Sequence, residues 1–125
     1  MGTSYKGNTK FFRSIGQNAM IVANKFPYKD GYFGISSPST GNKTRNIVSD
    51  NPADTAKAFY DKIALGGLEK TYDNGRKQIT NMADGTIITF REKSRSDGTS
   101  VCEINIKYSS HTGGIKQQKI HFIER

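Results

Sequence analysis

A chain of 125 residues carrying a formal charge of +8 is one domain's worth, long enough for a modest single core. That balance makes an anionic partner the leading expectation, whether nucleic acid, an acidic protein or an anionic membrane surface. The single cysteine, Cys102, excludes an intramolecular disulfide and a cysteine-based zinc site, and no apolar run approaches the roughly 20 residues of a membrane span.

Residues 1–9 are polar and glycine-bearing, and read as a loose lead-in without the apolar core of a signal peptide. Export would therefore depend on something outside this sequence. From 10 to 26, Phe11, Phe12, Ile15, Ala19, Val22, Ala23 and Phe26 recur at helical spacing. Gly16 weakens the start of that helix by about 1 kcal/mol, and Pro27 ends it. The stretch 26–50 has no sustained period. Tyr32, Phe33 and Ile35 are compatible with a short strand; the remainder, with Lys43 and Arg45 as its cations, reads as loop. A second helix is better marked. Asp50 or Asn51 caps it, Pro52 fits its first turn, and Ala56, Phe59, Tyr60, Ile63 and Ala64 form the apolar stripe. Gly66-Gly67 supplies a left-handed exit. Tyr60 falls at a core spacing.

Turn dipeptides then punctuate the chain at Asn74-Gly75, Asp84-Gly85, Asp97-Gly98 and Gly113-Gly114. Residues 77–82 read as a strand pairing with 86–93. Beyond it, Ile88 and Phe90 alternate with Thr89 and Arg91. Cys102, Ile104, Ile106 and Tyr108 alternate with Glu103, Asn105 and Lys107. Ile120 and Phe122 alternate with Lys119, His121 and Ile123. Period-2 alternation gives each strand one apolar and one polar face. The expected fold is α+β: a helical part over 10–67, and an antiparallel sheet of about four strands over 76–124. Cys102 reads as a small buried hydrophobe.

Paired as a meander, the strands bring Thr89, Arg91, Glu103, Asn105, Lys107, Lys119 and His121 to one surface. The solvent face of a sheet ordinarily carries such charges. Here the set also matches what metal-free RNA cleavage requires: an acid, a base and cations for the phosphoryl oxygens. His121 suits either proton-transfer role, and Glu103 is its natural partner. Arg91 and Lys119 are the phosphate clamps. The loop 94–100 adds hydroxyls and backbone N–H groups. One Glu and one His are a poor ligand set for a divalent metal. No nucleotide-binding motif is present.

Asp84-Gly85-Thr86-Ile87-Ile88-Thr89-Phe90-Arg91, then Ser94 and Asp97-Gly98, Glu103-Ile104-Asn105-Ile106 and Gln118-Lys119-Ile120-His121-Phe122, resemble the C-terminal toxin domains of bacterial polymorphic, contact-dependent toxins. The resemblance is to the barnase/EndoU/colicin/RelE-like ribonuclease superfamily, and it extends over 51–123 with the helix around Ala56. It implies N-terminal helices on a C-terminal antiparallel sheet. It also implies secretion or delivery as the C-terminal part of a larger bacterial protein, with action in the cytoplasm of the target cell. The partners would be RNA, tRNA included, and a dedicated acidic immunity protein. Neither a metal nor a nucleotide cofactor is expected, and no membrane insertion by this domain. Arg91, Ser94, Lys119 and His121 match the motif positions. Glu103 stands where an Asp is expected, and Thr99-Ser100 where a Gly/Ser-Pro pair is expected.

The expected activity is endoribonuclease cleavage by 2′-OH attack, leaving a 2′,3′-cyclic phosphate. The catalytic set is His121, Glu103, Arg91, Lys119 and Ser94. Arg95, Ser96, Thr99, Asn105, Lys107 and Lys116 are the accompanying RNA contacts. The alternatives are a noncatalytic nucleic-acid-binding module on the same face and a metal-dependent DNase toxin.

Overall fold

The computed structural model describes residues 13–37, 41–95 and 97–125, with Asn42 described by its backbone alone. The lead-in 1–9, Phe11, Phe12 and Ser96 lie outside the described residues. Within them the fold is α+β, with a seven-stranded sheet rather than about four strands. Helix α1 is Ile15–Ala23 and α2 is Pro52–Ile63. Strands β1 (Tyr28–Lys29) and β2 (Tyr32–Phe33) form a small separate hairpin. The main sheet comprises β3 (Ile35–Ser37), β4 (Gly41–Ser49), β5 (Leu68–Tyr72), β6 (Lys77–Asn81), β7 (Ile87–Arg91), β8 (Ser100–Asn105) and β9 (Gln118–Glu124). Its order is β3-β4-β9-β8-β7-β6-β5, antiparallel throughout except for the parallel pair β4 and β9.

Two expectations are corrected here. The helical part over 10–67 is interrupted by β1 to β4, and β5 precedes the strand expected over 77–82. The expected loop contains the nine residues of β4, whose core-side positions are Arg45, Ile47 and Ser49. An arginine and a serine at inward positions break the apolar alternation that marks a strand. The Arg45 guanidinium donates to the carbonyls of Phe33 (2.9 Å) and Gly34 (2.8 Å) and lies 4.8 Å from the Tyr32 ring centroid. Strand β5 is exposed at every position, as an edge strand with a polar composition permits.

The first helix begins later than the spacing from residue 10 implies. Ser14 caps it and exchanges hydrogen bonds with Gln17 in a capping box, and Asp84 accepts from the Ile15 amide at 3.1 Å. It ends at Ala23, one turn before Pro27. The second helix follows its signals in part: Asn51 stands at the N-cap without a side-chain capping bond, Pro52 opens the helix, and Gly66 exits at φ 83°. Asn18, fully buried, donates to the carbonyls of Ile63 (2.8 Å) and Leu65 (3.0 Å), tying α1 to the end of α2.

Helix α2 lays Ala56, Phe59, Tyr60 and Ile63 onto one sheet face, against Ile47, Ile88, Phe90, Cys102, Ile104, Ile120 and Phe122. Tyr60 is core, as its spacing implied, with its hydroxyl bonded to Thr80. Cys102 is fully buried, and burial pushes its thiol pKa up. Among the described residues no helix is long and apolar enough to cross a membrane. Phe59 sits among Phe26 (5.0 Å), Phe33 (5.0 Å) and Phe122 (5.7 Å). Phe59→Ala is expected to destabilise the domain by about 3–5 kcal/mol, read from urea unfolding.

Candidate active site

The face opposite α2 is organised by strand register. Thr89, Glu103 and Lys119 lie directly across from one another on β7, β8 and β9, and continue to Thr44 on β4. The next row is Arg91, Val101 and His121, continuing to Asn46. Side chains two apart on a strand share a face, so Arg91, Glu103, Lys119 and His121 all project to one side. Val101 is their centre. Arg91 flanks it on β7, His121 flanks it on β9, and Glu103 is two residues along β8. Glu103 is thus diagonal to both Arg91 and His121, at about 7–8 Å between Cα atoms.

Val101 faces the open side yet is only 1% exposed. It forms the apolar floor of a concavity of about 180 Å³ walled by Thr89, Arg91, Ser94, Arg95, Glu103 and Lys119. The expected residues Arg91, Ser94, Arg95, Glu103 and Lys119 are therefore brought together. His121 stands at the flank of this concavity rather than in its wall, 7% exposed beneath the β7–β8 loop.

That loop contains the residue that the sequence reading missed. Asp97 Oδ1 accepts from the Ser94 hydroxyl (2.6 Å), the Thr99 hydroxyl (2.7 Å) and the Thr99 amide (3.0 Å). Its Oδ2 lies 3.4 Å from His121 Nδ1. The Ser94 and Thr99 hydroxyls, then the Thr99 amide, hold the Asp97 carboxyl well below the usual carboxylate range, against a small opposing effect of burial. In sequence, Asp97-Gly98 announces only a turn, which it also makes, with Gly98 at φ 77°. The signal available was the spacing of Ser94, Asp97 and Thr99, a pattern that closes on itself through side-chain hydrogen bonds to backbone.

Thr99 Oγ1 lies 2.7 Å from His121 Nδ1. Thr99 has one hydroxyl proton, and that proton goes to Asp97. His121 Nδ1 is therefore the donor to Thr99, and the exchangeable proton of the ring is the one on Nε2. Burial lowers the His121 pKa; Asp97 opposes the shift and Lys119 adds to it.

Several other expected contacts lie elsewhere. Ser94 is buried, with its hydroxyl committed to Asp97, so it shapes the loop rather than presenting a phosphate donor. Thr99 is likewise a partner of His121. Asn105 lies on the same face as Glu103 but outside the concavity. Strand β8 ends at Asn105, so the alternation expected through Tyr108 fails. Lys107 falls in the following loop with its Nζ 5.7 Å from the ring of Tyr108, itself 51% exposed. Lys116 joins Tyr28, Tyr32 and Arg45 around a cavity of about 900 Å³, on the side of β4 that Arg45 faces. His111 packs edge-on to Tyr108 at 6.5 Å.

Among the described residues no three His, Cys, Asp or Glu side chains gather into a metal-holding group. Compared with known proteins, the chain matches no family model, no curated protein and no solved structure.

An NMR titration of His121 should give a midpoint below the ordinary imidazole value of 6.5. Because Asp97 is the influence that raises it, Asp97→Asn should move that midpoint lower still. A midpoint that rises in Asp97→Asn would contradict the assigned network.

Proposed function

We propose that this domain is a metal-independent endoribonuclease that cuts RNA by attack of the ribose 2′-OH on the adjacent phosphate. The observation that carries this reading is the grouping of Arg91, Glu103, Lys119 and His121 around Val101 on one rigid face. A phosphate over the Val101 floor meets cations from two sides, with a carboxylate and an imidazole to handle protons.

The roles follow from protonation. Glu103 is the carboxylate of this face and is assigned the role of proton acceptor. It takes the proton from the 2′-OH as that oxygen bonds to phosphorus. His121, protonated on Nε2, gives its proton to the departing 5′-oxygen as the P–O bond breaks, and a 2′,3′-cyclic phosphate remains. Arg91, with its planar fork, and Lys119, as a point charge, stabilise the charge that grows on the nonbridging oxygens. Arg95 on the same wall adds to that field. Asp97 and Thr99 keep the His121 ring oriented in both protonation states. A lowered His121 pKa makes the imidazolium a better acid but leaves less of it at neutral pH.

The wider reading rests on the sequence resemblance and the basic surface. It is a toxin domain delivered as the C-terminal part of a larger bacterial protein, acting on RNA (tRNA included) in a competitor's cytoplasm. An acidic immunity protein would neutralise it by covering the open face.

Purified protein incubated with total RNA in EDTA should generate fragments ending in a 2′,3′-cyclic phosphate. A noncatalytic binder would leave every RNA intact, and a metal-dependent DNase would instead nick plasmid DNA once divalent metal is supplied. His121→Ala and Glu103→Gln should each lower the cleavage rate by about 10²–10⁴-fold while the circular dichroism spectrum stays that of the parent. With His121 as the acid, kcat/KM should fall on the alkaline side, through a midpoint below 6.5. A limb that instead rises with pH through that midpoint would exchange the two roles.

A further inference from the structure

The open-face row through Arg91 does not stop at β7. Lys77 on β6 lies directly opposite Arg91, and Tyr72 on β5 lies directly opposite Lys77. His121, Val101, Arg91, Lys77 and Tyr72 therefore form one transverse line across five neighbouring strands. Strands sit about 4.8 Å apart, so Tyr72 is about 14 Å from Val101.

A trough of about 540 Å³ meets this line at Lys77 and Arg91 and runs between the β5–β6 turn and the β7–β8 loop, with Arg76, Lys77, Arg91, Lys93 and Arg95 as its cations, against Asp73 and Glu92. Arg91 and Arg95 also wall the concavity over Val101, so the two depressions share a border. Asp73 is engaged by Arg76, at 3.8 Å through its carboxylate and at 3.2 Å through its carbonyl. Lys77, Arg91, Lys93 and Arg95 form no ion pair with a carboxylate among the described residues. Such a set of cations is suited to a polyanion rather than to internal charge balance. Tyr72 is 44% exposed at the end of the row, with the Lys77 ammonium 5.5 Å from its ring centroid. Cations along a groove with an exposed aromatic ring beside one of them are the elements by which proteins hold single-stranded nucleic acid: phosphates on the cations, a base on the ring.

We propose that this trough, together with Tyr72 beside Lys77 on the edge strand, is a subsite for the single strand that flanks the cut, with Lys77 holding a phosphate and Tyr72 stacking a base. This rests on the ribonuclease reading of the adjoining concavity and adds a substrate class to it: an oligonucleotide unpaired beyond the cleaved linkage. A dinucleotide spans only the groups beside one phosphate and stops short of Tyr72; a longer strand reaches it. The same trough is too shallow in specificity to name a base, because every base offers a stacking face.

The test compares kcat/KM on a dinucleotide and on an unstructured RNA octamer. Wild type should gain from the added length, and Tyr72→Ala should shrink that gain roughly tenfold, with Tyr72→Phe restoring it. Equal gains in wild type and Tyr72→Ala would overturn the subsite. An uncleavable 2′-O-methyl octamer, read by fluorescence anisotropy, separates this idea from the catalytic one. Tyr72→Ala should weaken its binding by a similar factor. Lys77→Ala should reduce the salt slope by about 0.7, the value for one lost phosphate contact on a single strand. If wild type cuts neither RNA, the ribonuclease reading fails, while the octamer data alone decide whether the trough binds a single strand. Unaltered affinity and salt slope in both variants would remove the trough from RNA binding.

Discussion

Strand register is the constraint on which this molecule depends. The residues Phe90, Cys102 and Ile120 face one another across β7, β8 and β9 and are buried under α2. Their immediate neighbours along each strand, Arg91, Val101 and His121, form the opposite row. Because the side-chain period of a strand is two, slipping one strand by one residue would drive Arg91, Glu103 or His121 beneath the helix, where an unpaired charge is prohibitively placed. The packing of the core and the assembly of the open face are therefore one specification read from two sides. No loop has to be positioned for Arg91, Glu103 and Lys119 to converge; the apolar face accomplishes it.

His121 adds a second layer. Its backbone position is set by register, but its ring orientation is set by a turn. The chain from Ser94 to Thr99 closes on itself through Asp97, and Thr99 then presents a hydroxyl oxygen to Nδ1. A carboxylate stabilised by several hydrogen bonds stays charged where a solvated one would be indifferent. The imidazole is thus held by a chain of hydroxyls as well as by proximity to a charge. The cost is burial, which works against the protonated ring, and Asp97 offsets only part of it.

The parts of this architecture visible in sequence are those whose pattern has a single cause. Strands β6 to β9 and helix α2 alternate or recur at the proper period because one face is buried and the other is wet. Strand β4 hid because its inward positions include Arg45 and Ser49, whose side chains are satisfied by hydrogen bonds to Phe33, Gly34 and Thr55 rather than by apolar packing. Edge strand β5 hid because nothing covers it, so its composition was free. Asp97 hid behind Gly98, since a turn dipeptide accounts for the carboxylate without a further role. Arg45 carries a related lesson about charge. It counts toward the +8 of the chain, yet its guanidinium is spent on two backbone carbonyls. Net basicity counts cations without saying which of them face outward.

The parallel pairing of β9 with β4 has a consequence for how the molecule comes together. Strands β5 to β8 are successive neighbours, and β3 and β4 are another such pair, but only β9 joins the two groups. Its contact with β4 spans about 75 residues of chain, since Arg45 meets Ile120, and closures of that reach form late. The antiparallel run β7-β8-β9 already sets Arg91, Glu103, Lys119 and His121 beside one another without β4. The open-face cluster is therefore independent of the last closure, which adds β3 and β4, with Arg45 and Ile47, to the far flank of the sheet.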